Sequence, residues 1–158
     1  MLEQAVDALN QLRELLRSEV EHARSERQIL RTLDARAIFA RASERASFVA
    51  QVARLEQQAA SALGLVARAL QLDEVSLARL RQKVPSEATG LARVLDDIQA
   101  LAGALQEIDR LNLFLGNRAL SCVRGYVTAV SPIPTAYDRR GAFAAPRHSA
   151  AVSVSIKG

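Results

Sequence analysis

Leu91–Tyr126, LARVLDDIQALAGALQEIDRLNLFLGNRALSCVRGY, is the stretch that decides the fold. Steps of three and four in strict alternation pick out Leu91, Val94, Ile98, Leu101, Leu105, Ile108, Asn112, Leu115, Ala119, Cys122 and Tyr126. Asn112 is the single plainly polar member. A 3-4 alternation of apolar residues is the a/d seam of a helix that presents one narrow stripe to other helices. No proline interrupts it. At about 1.5 Å per residue such a helix exceeds roughly 50 Å, so other parts of the chain must lie along it.

Working toward the N-terminus, Leu2, Ala5, Leu9, Leu12, Leu16, Val20 and Ala23 define a first amphipathic helix over about 2–33, with a slip in spacing between Leu16 and Val20. No ion-pair design stands out along it. Thr32-Leu33-Asp34 reads as a turn, with Asp34 placed to accept from the free amides of a second helix over about 35–70. The stripe of that helix reads as Ile38, Ala42, Val49, Val52, Leu55, Ala59, Leu63, Val66 and Leu70, with a kink near Ala42-Ser43 as the alternative. Asp73 would cap a short helix over about 74–82, and Pro85 would end it. Ser86 or Thr89 would then start the long helix, about 87–130. Three long helices joined by short turns imply an all-α, elongated, antiparallel three-helix bundle or coiled coil over 1–130.

Past Val130, Ser131-Pro-Ile-Pro-Thr ends the helix pattern, and 131–158 reads as a flexible tail. Val152, Val154 and Ile156 alternate with serine and small residues. That pattern fits a strand added to a partner's sheet edge or an unstructured terminus.

Composition narrows the function. The net charge is +4, but residues 1–130 carry 17 basic and 16 acidic residues. The excess sits in the tail, where Arg139, Arg140, Arg147 and Lys157 face only Asp138. No basic stripe runs along a helix, so nucleic-acid binding is not expected. One cysteine excludes an internal disulfide and suits a reducing compartment. There is no uncharged apolar run near the ~20 residues of a membrane span and no signal-peptide pattern. The expectation is a cytoplasmic protein that is not membrane-embedded.

Catalytic constellations are missing. His22 and His148 lie in different elements, and no HExxH, CxxC, phosphate-cradling glycine loop or GxSxG occurs. Asp96 and Asp97 are neighbours and point about 100° apart on a helix, so they do not form a pair. Cys122, on the seam without a histidine near it, reads as a small buried hydrophobe. No enzyme activity, metal or cofactor is expected.

The end of the long helix changes character. The seam weakens to Asn112, Ala119, Cys122 and Tyr126, while Leu111, Leu113 and Phe114 add apolar surface outside it. Surface of that kind marks a partner site or a homodimer contact, and the pattern leaves both open. Asn112 either fixes helix register or hydrogen-bonds a partner.

These residues also carry a resemblance. Leu111-Asn112, the apolar run through Leu115, Leu120 and Val130, then Pro132, Pro134 and Tyr137-Asp138-Arg139-Arg140-Gly141, resemble the C-terminal region of FlgN, a family of small cytoplasmic export chaperones of the bacterial flagellum. The family pattern is a long helix with an Asn-containing, Leu-rich stretch, a short break, Tyr-x-x-x-Gly, and a tail of small, polar and β-branched residues. The charged hairpin of the family is matched in layout by SERQILRTLDARAIFARASERASFVAQVARLE.

The resemblance implies binding of the C-terminal helical segments of hook-filament junction proteins, FlgK and FlgL, and delivery to the cytoplasmic domain of the export gate, FlhA. It implies a client site at Leu111, Asn112, Leu115, Ala119, Cys122 and Tyr126, and docking to the gate through Tyr137, with Asp138 and Gly141 shaping its turn. The competing reading is a structural coiled coil that self-associates through the long helix, and a weak homodimer is compatible with either. A third reading, in which the basic tail binds acidic lipid or nucleic acid, has only +3 over 28 residues behind it.

Overall fold

The structure is a computed structural model that describes residues 2–72 and 76–130. It is all-α. The helices are α1 (Leu2–Thr32), α2 (Ala35–Ala69), α3 (Leu77–Lys83) and α4 (Pro85–Val130), with no strand among the described residues. The chain divides into two compact units, residues 1–121 and 122–158.

In the first unit a two-residue turn separates α1 from α2. Leu33 takes a left-handed conformation (φ 53°) just past the end of α1, the position where glycine is usually found. The Asp34 carboxylate accepts from the Ala37 amide at 3.1 Å, satisfying one of the free donors at the start of α2. The chain reverses here, and α2 runs back along α1, so that Arg41 meets both Glu26 and Glu19. α4 runs in the direction of α1: Arg13 pairs with Asp97 and Asn112 bonds to Ala23.

One core cluster draws on all four helices. It holds Leu2, Leu9, Leu12, Leu16, Val20 and Ala23 of α1, Leu55, Ala59 and Val66 of α2, Leu80 of α3, and Ala88, Leu91, Val94, Leu105 and Ile108 of α4. Each buried Leu contributes about 1.5–3 kcal/mol through loss of apolar surface from water. The recurring alanines (Ala5, Ala23, Ala59, Ala62, Ala88, Ala92) let neighbouring backbones approach. Leu80, among the most deeply buried side chains, anchors the short α3.

Three details depart from the sequence expectation. The seam of α1 does not slip after Leu16; it continues through Glu19, Ala23, Glu26 and Leu30 in unbroken 3-4 steps, and Glu19 is buried. In α2, Ala42 and Val49 are exposed, while the buried or half-buried series is Arg41, Arg45, Phe48, Val52, Leu55, Ala59, Ala62 and Val66. Charged residues fill seam positions in both helices, and an apolar search steps around them. Third, Ser76 caps α3 by accepting from the Arg79 amide at 3.3 Å, so that helix starts at Leu77; Asp73 lies outside the described residues. Pro85 both follows α3 and opens α4 as its first residue, where its fixed φ and missing N–H cost nothing.

Leu33→Gly tests the turn. Relief of the left-handed strain of a branched side chain, less the added freedom of glycine in the unfolded chain, should stabilise the protein by roughly 0.5–1 kcal/mol. A urea midpoint shifted downward would contradict this account of the turn.

Candidate functional site

The far end of the first unit, where the α1–α2 turn lies beside α4, is built on charge. Glu19 and Glu26 of α1, Arg41 and Arg45 of α2 and Asp109 of α4 form one network. Arg41 donates from Nη2 to Glu19 and from Nε to Glu26 at 3.3 Å. Arg45 reaches Glu26 at 3.4 Å and holds Asp109 with both terminal nitrogens, Nη1 to Oδ1 at 2.8 Å. The Glu19 and Arg41 side chains are only 3% and 6% exposed.

Burial works against the charge on Arg41, but the hydrogen bond and charge of Glu19, then those of Glu26, more than offset it, and its pKa lies above the ordinary guanidinium value. For Arg45 the hydrogen bond to Asp109 leads, opposed by burial, with the same upward direction. A raised folded-state pKa contributes stability that is present below the unfolded value and lost only at more alkaline pH. Both guanidinium groups therefore stay charged throughout the neutral range.

One turn beyond Asp109, Asn112 is turned inward. Its Nδ2 donates to the Ala23 carbonyl at 2.7 Å across α1 and α4, and its Oδ1 has no partner. Only 4% of the residue is exposed. Asn112, expected as a client contact, is thus closed in between α1 and α4, where its hydrogen bond ties the register of α4 to α1.

Past Asn112 the buried stripe of α4 gives out. The α1–α4 contacts pair residues 84 to 89 positions apart, an offset that sets Thr32, the last residue of α1, level with about residues 116 to 121 of α4. Leu111, Leu113, Phe114 and Leu120 are exposed, with Leu113 at 66% and Phe114 at 62%. Leu115 and Ala119 are half-buried. A cleft of about 590 Å³ opens beside them, lined by Leu30, Arg45, Asn112, Leu113, Gly116 and Leu120 among others.

In the second unit the described residues are Cys122–Val130, the end of α4. Cys122 is exposed, not the buried hydrophobe expected from its seam position, because every residue of the segment is exposed. Val123, Tyr126, Val127 and Val130 recur there at steps of three, one and three, a single apolar stripe. Tyr137, Asp138 and Gly141 lie outside the described residues, as does the alternating stretch Val152, Val154 and Ile156.

Sequence reasoning therefore reached the exposed apolar surface of Leu111, Leu113 and Phe114 but missed the charge network beside it. A usable signal was present: Glu26 and Glu19 precede the turn at seam positions, and Arg41 and Arg45 follow it at seam positions about as far away.

Among the described residues no cluster of three or more His, Cys, Asp or Glu is arranged to hold a metal ion, and no helix is long and apolar enough to cross a membrane. A protein-family model described as FlgN protein matches residues 1–144. No curated protein matches the chain. No solved structure matches it either.

Removing one member of the buried pair should show what it does. Arg41→Met leaves the buried Glu19 with only its longer contact to Arg45 Nε, at 3.7 Å, and should cost about 3 kcal/mol, whereas Glu19→Leu combined with Arg41→Met should recover most of that loss. Urea unfolding of both variants checks this; a single variant as stable as the parent would contradict the network's role.

Proposed function

The chain belongs to the FlgN family, whose role is that of flagellar export chaperones, and on that premise we propose that it holds the C-terminal helical segments of hook-filament junction proteins (FlgK- and FlgL-like) in the cytoplasm and delivers them to the cytoplasmic domain of the flagellar export gate (FlhA-like). The observation that carries the client half is the exposed apolar surface on the end of α4. Leu111, Leu113, Phe114 and Leu120 in the first unit, and Val123, Tyr126, Val127 and Val130 in the second, leave a large area of hydrophobic side chain in water. Exposure on that scale costs free energy that a bound partner recovers.

The client in this reading is an amphipathic helix that lays its apolar face on α4. Leu111, Leu115 and Ala119 in one unit, and Cys122 and Tyr126 in the other, serve as its anchors. Asn112 acts beneath them by fixing α4 against α1. The fold behind the reading is an antiparallel three-helix bundle of α1, α2 and α4, supported by their cross-helix pairs. The tail expected from residue 131 lies outside the described residues.

Delivery falls to that tail. Tyr137, matching the family's tyrosine, docks on the export gate, and Asp138 and Gly141 shape its turn. An aromatic side chain is a sound docking anchor because it buries a large area for few lost rotamers.

Calorimetric titration of the full chain with peptides covering the C-terminal segments of the junction proteins tests the client half. One-to-one binding is expected, and Tyr126→Asp should weaken it by roughly tenfold or more while helical content is kept. Binding to neither peptide, with a stable oligomer in solution, would favour a structural coiled coil instead. For the delivery half, Tyr137→Ala should bind the client as the parent does yet lower secretion of the junction proteins. Normal secretion would remove Tyr137 from the gate contact.

A further inference from the structure

The near balance of charge over residues 1–130 hides an uneven placement. The Glu26–Arg45–Asp109 bridge joins α1, α2 and α4. Beyond it the first unit ends in residues 27–40, around the α1–α2 turn, and residues 110–121 of α4. These segments hold five arginines, Arg27, Arg31, Arg36, Arg110 and Arg118, against one acid, Asp34. The Asp34 carboxylate is occupied in capping α2. Among the described residues none of the five arginines has a carboxylate within 4.0 Å, and all but Arg27 are exposed. The rest of the described first unit is the reverse, with 11 basic and 13 acidic residues. No single helix carries the arginines as a stripe; the fold collects them from three.

The same end is apolar. It carries Leu33, Phe39, Leu111, Leu113, Phe114 and Leu120, six of the nine large hydrophobic side chains left exposed among the described residues of the first unit. The Arg13–Asp97 pair spans 84 positions, and the same offset two heptads on sets Arg27 level with Leu111. Charge then selects among occupants. A second copy docked through this end brings the same five arginines and no free acid, and like charges across an interface oppose docking. An anionic lipid surface suits the charge but not the shape. A helix that lies on a membrane keeps its apolar and charged faces apart, whereas Arg110, Leu113 and Leu120 share one face of α4 and line one recessed cleft. Projecting side chains of a helix enter a recess, and a flat surface does not. An unpaired guanidinium matches a carboxylate through two parallel hydrogen bonds.

We propose that this basic, apolar end of the first unit selects an acidic amphipathic helix, one whose apolar face is edged by Asp and Glu that pair with the free arginines. This rests on the client-binding reading above and adds to it the charge that the client must carry. The leucines and phenylalanines supply contact area. The arginines speed encounter, fix orientation and reject both basic helices and a second copy of the chain.

The test uses the full chain and synthetic peptides of the junction proteins' C-terminal segments, titrated at low and at high salt. Added salt should weaken binding. Arg31→Glu combined with Arg118→Glu should lower affinity roughly tenfold, mainly through slower association, and should flatten the salt dependence. Helicity and melting temperature should be retained, because both side chains are exposed and without a carboxylate partner. Arg54→Glu combined with Arg93→Glu makes the same change of net charge elsewhere in the unit and should cost far less. Replacing Asp and Glu of the peptide by Asn and Gln should weaken its binding to the parent more than to the Arg31/Arg118 variant.

Peptide binding that ignores both salt and the Arg31/Arg118 reversal overturns the selection by charge while leaving the client reading intact. Equal losses from the Arg54/Arg93 pair overturn its placement at this end. A parent protein that binds neither peptide overturns the client reading and this inference with it. Binding to vesicles of mixed phosphatidylglycerol and phosphatidylcholine that the Arg31/Arg118 reversal abolishes, with peptide affinity unchanged, would assign the basic end to a lipid surface instead.

Discussion

The pairing of Glu19 with Arg41, deep between α1 and α2, is the constraint on which the first unit most depends. Two side chains of opposite charge, each nearly closed off from water, are tolerable only while they face each other. Taking either one out of water alone costs several kcal/mol, so a slide of α2 along α1 that separated them would be strongly opposed. Apolar seams rich in Ala and Leu lack that discrimination, because one turn of slippage exchanges one small hydrophobe for another. Through Glu26 the pair joins Arg45, and through Arg45 it joins Asp109 of α4. The Asn112 bond to Ala23 then fixes α4 to α1 one turn further on.

That arrangement gives the first unit two different ends. At one, α3 folds in Leu80, and Pro85 starts α4 immediately afterwards, so apolar surface is covered. At the other, α1 stops at Thr32 while the apolar residues of α4 continue. The charge network lies between the covered core and the open apolar surface. It holds the helices in place up to the point where they stop covering one another. An apolar surface presented by a rigid support binds a helix at lower entropic cost than one that must first be ordered.

Much of this was legible in the chain. The 3-4 alternation from Leu91 onward gave α4 and its partners, and Asp34 was readable as a cap because its carboxylate precedes an amphipathic run. The leucines outside the seam marked the surface that the structure leaves exposed. The network was not legible, because seam positions were sought among apolar residues and Glu19, Glu26, Arg41 and Arg45 occupy them instead; the false slip at Val20 and the false stripe through Ala42 and Val49 are that same error in two helices. Cys122 was misplaced for a different reason. Heptad position predicts burial only where a partner helix runs alongside, and periodicity does not reveal where the partner stops.

The match over residues 1–144 gives the family, and burial leaves apolar side chains exposed along the end of α4; the proposed client site rests on the second of these. Hydrogen–deuterium exchange of the full chain, with and without a junction-protein C-terminal peptide, tests that proposal most directly. The account predicts slowed exchange at residues 111–130, with the Glu19–Arg41 region protected in both states. Protection that instead appeared along α2, or nowhere in α4, would contradict it.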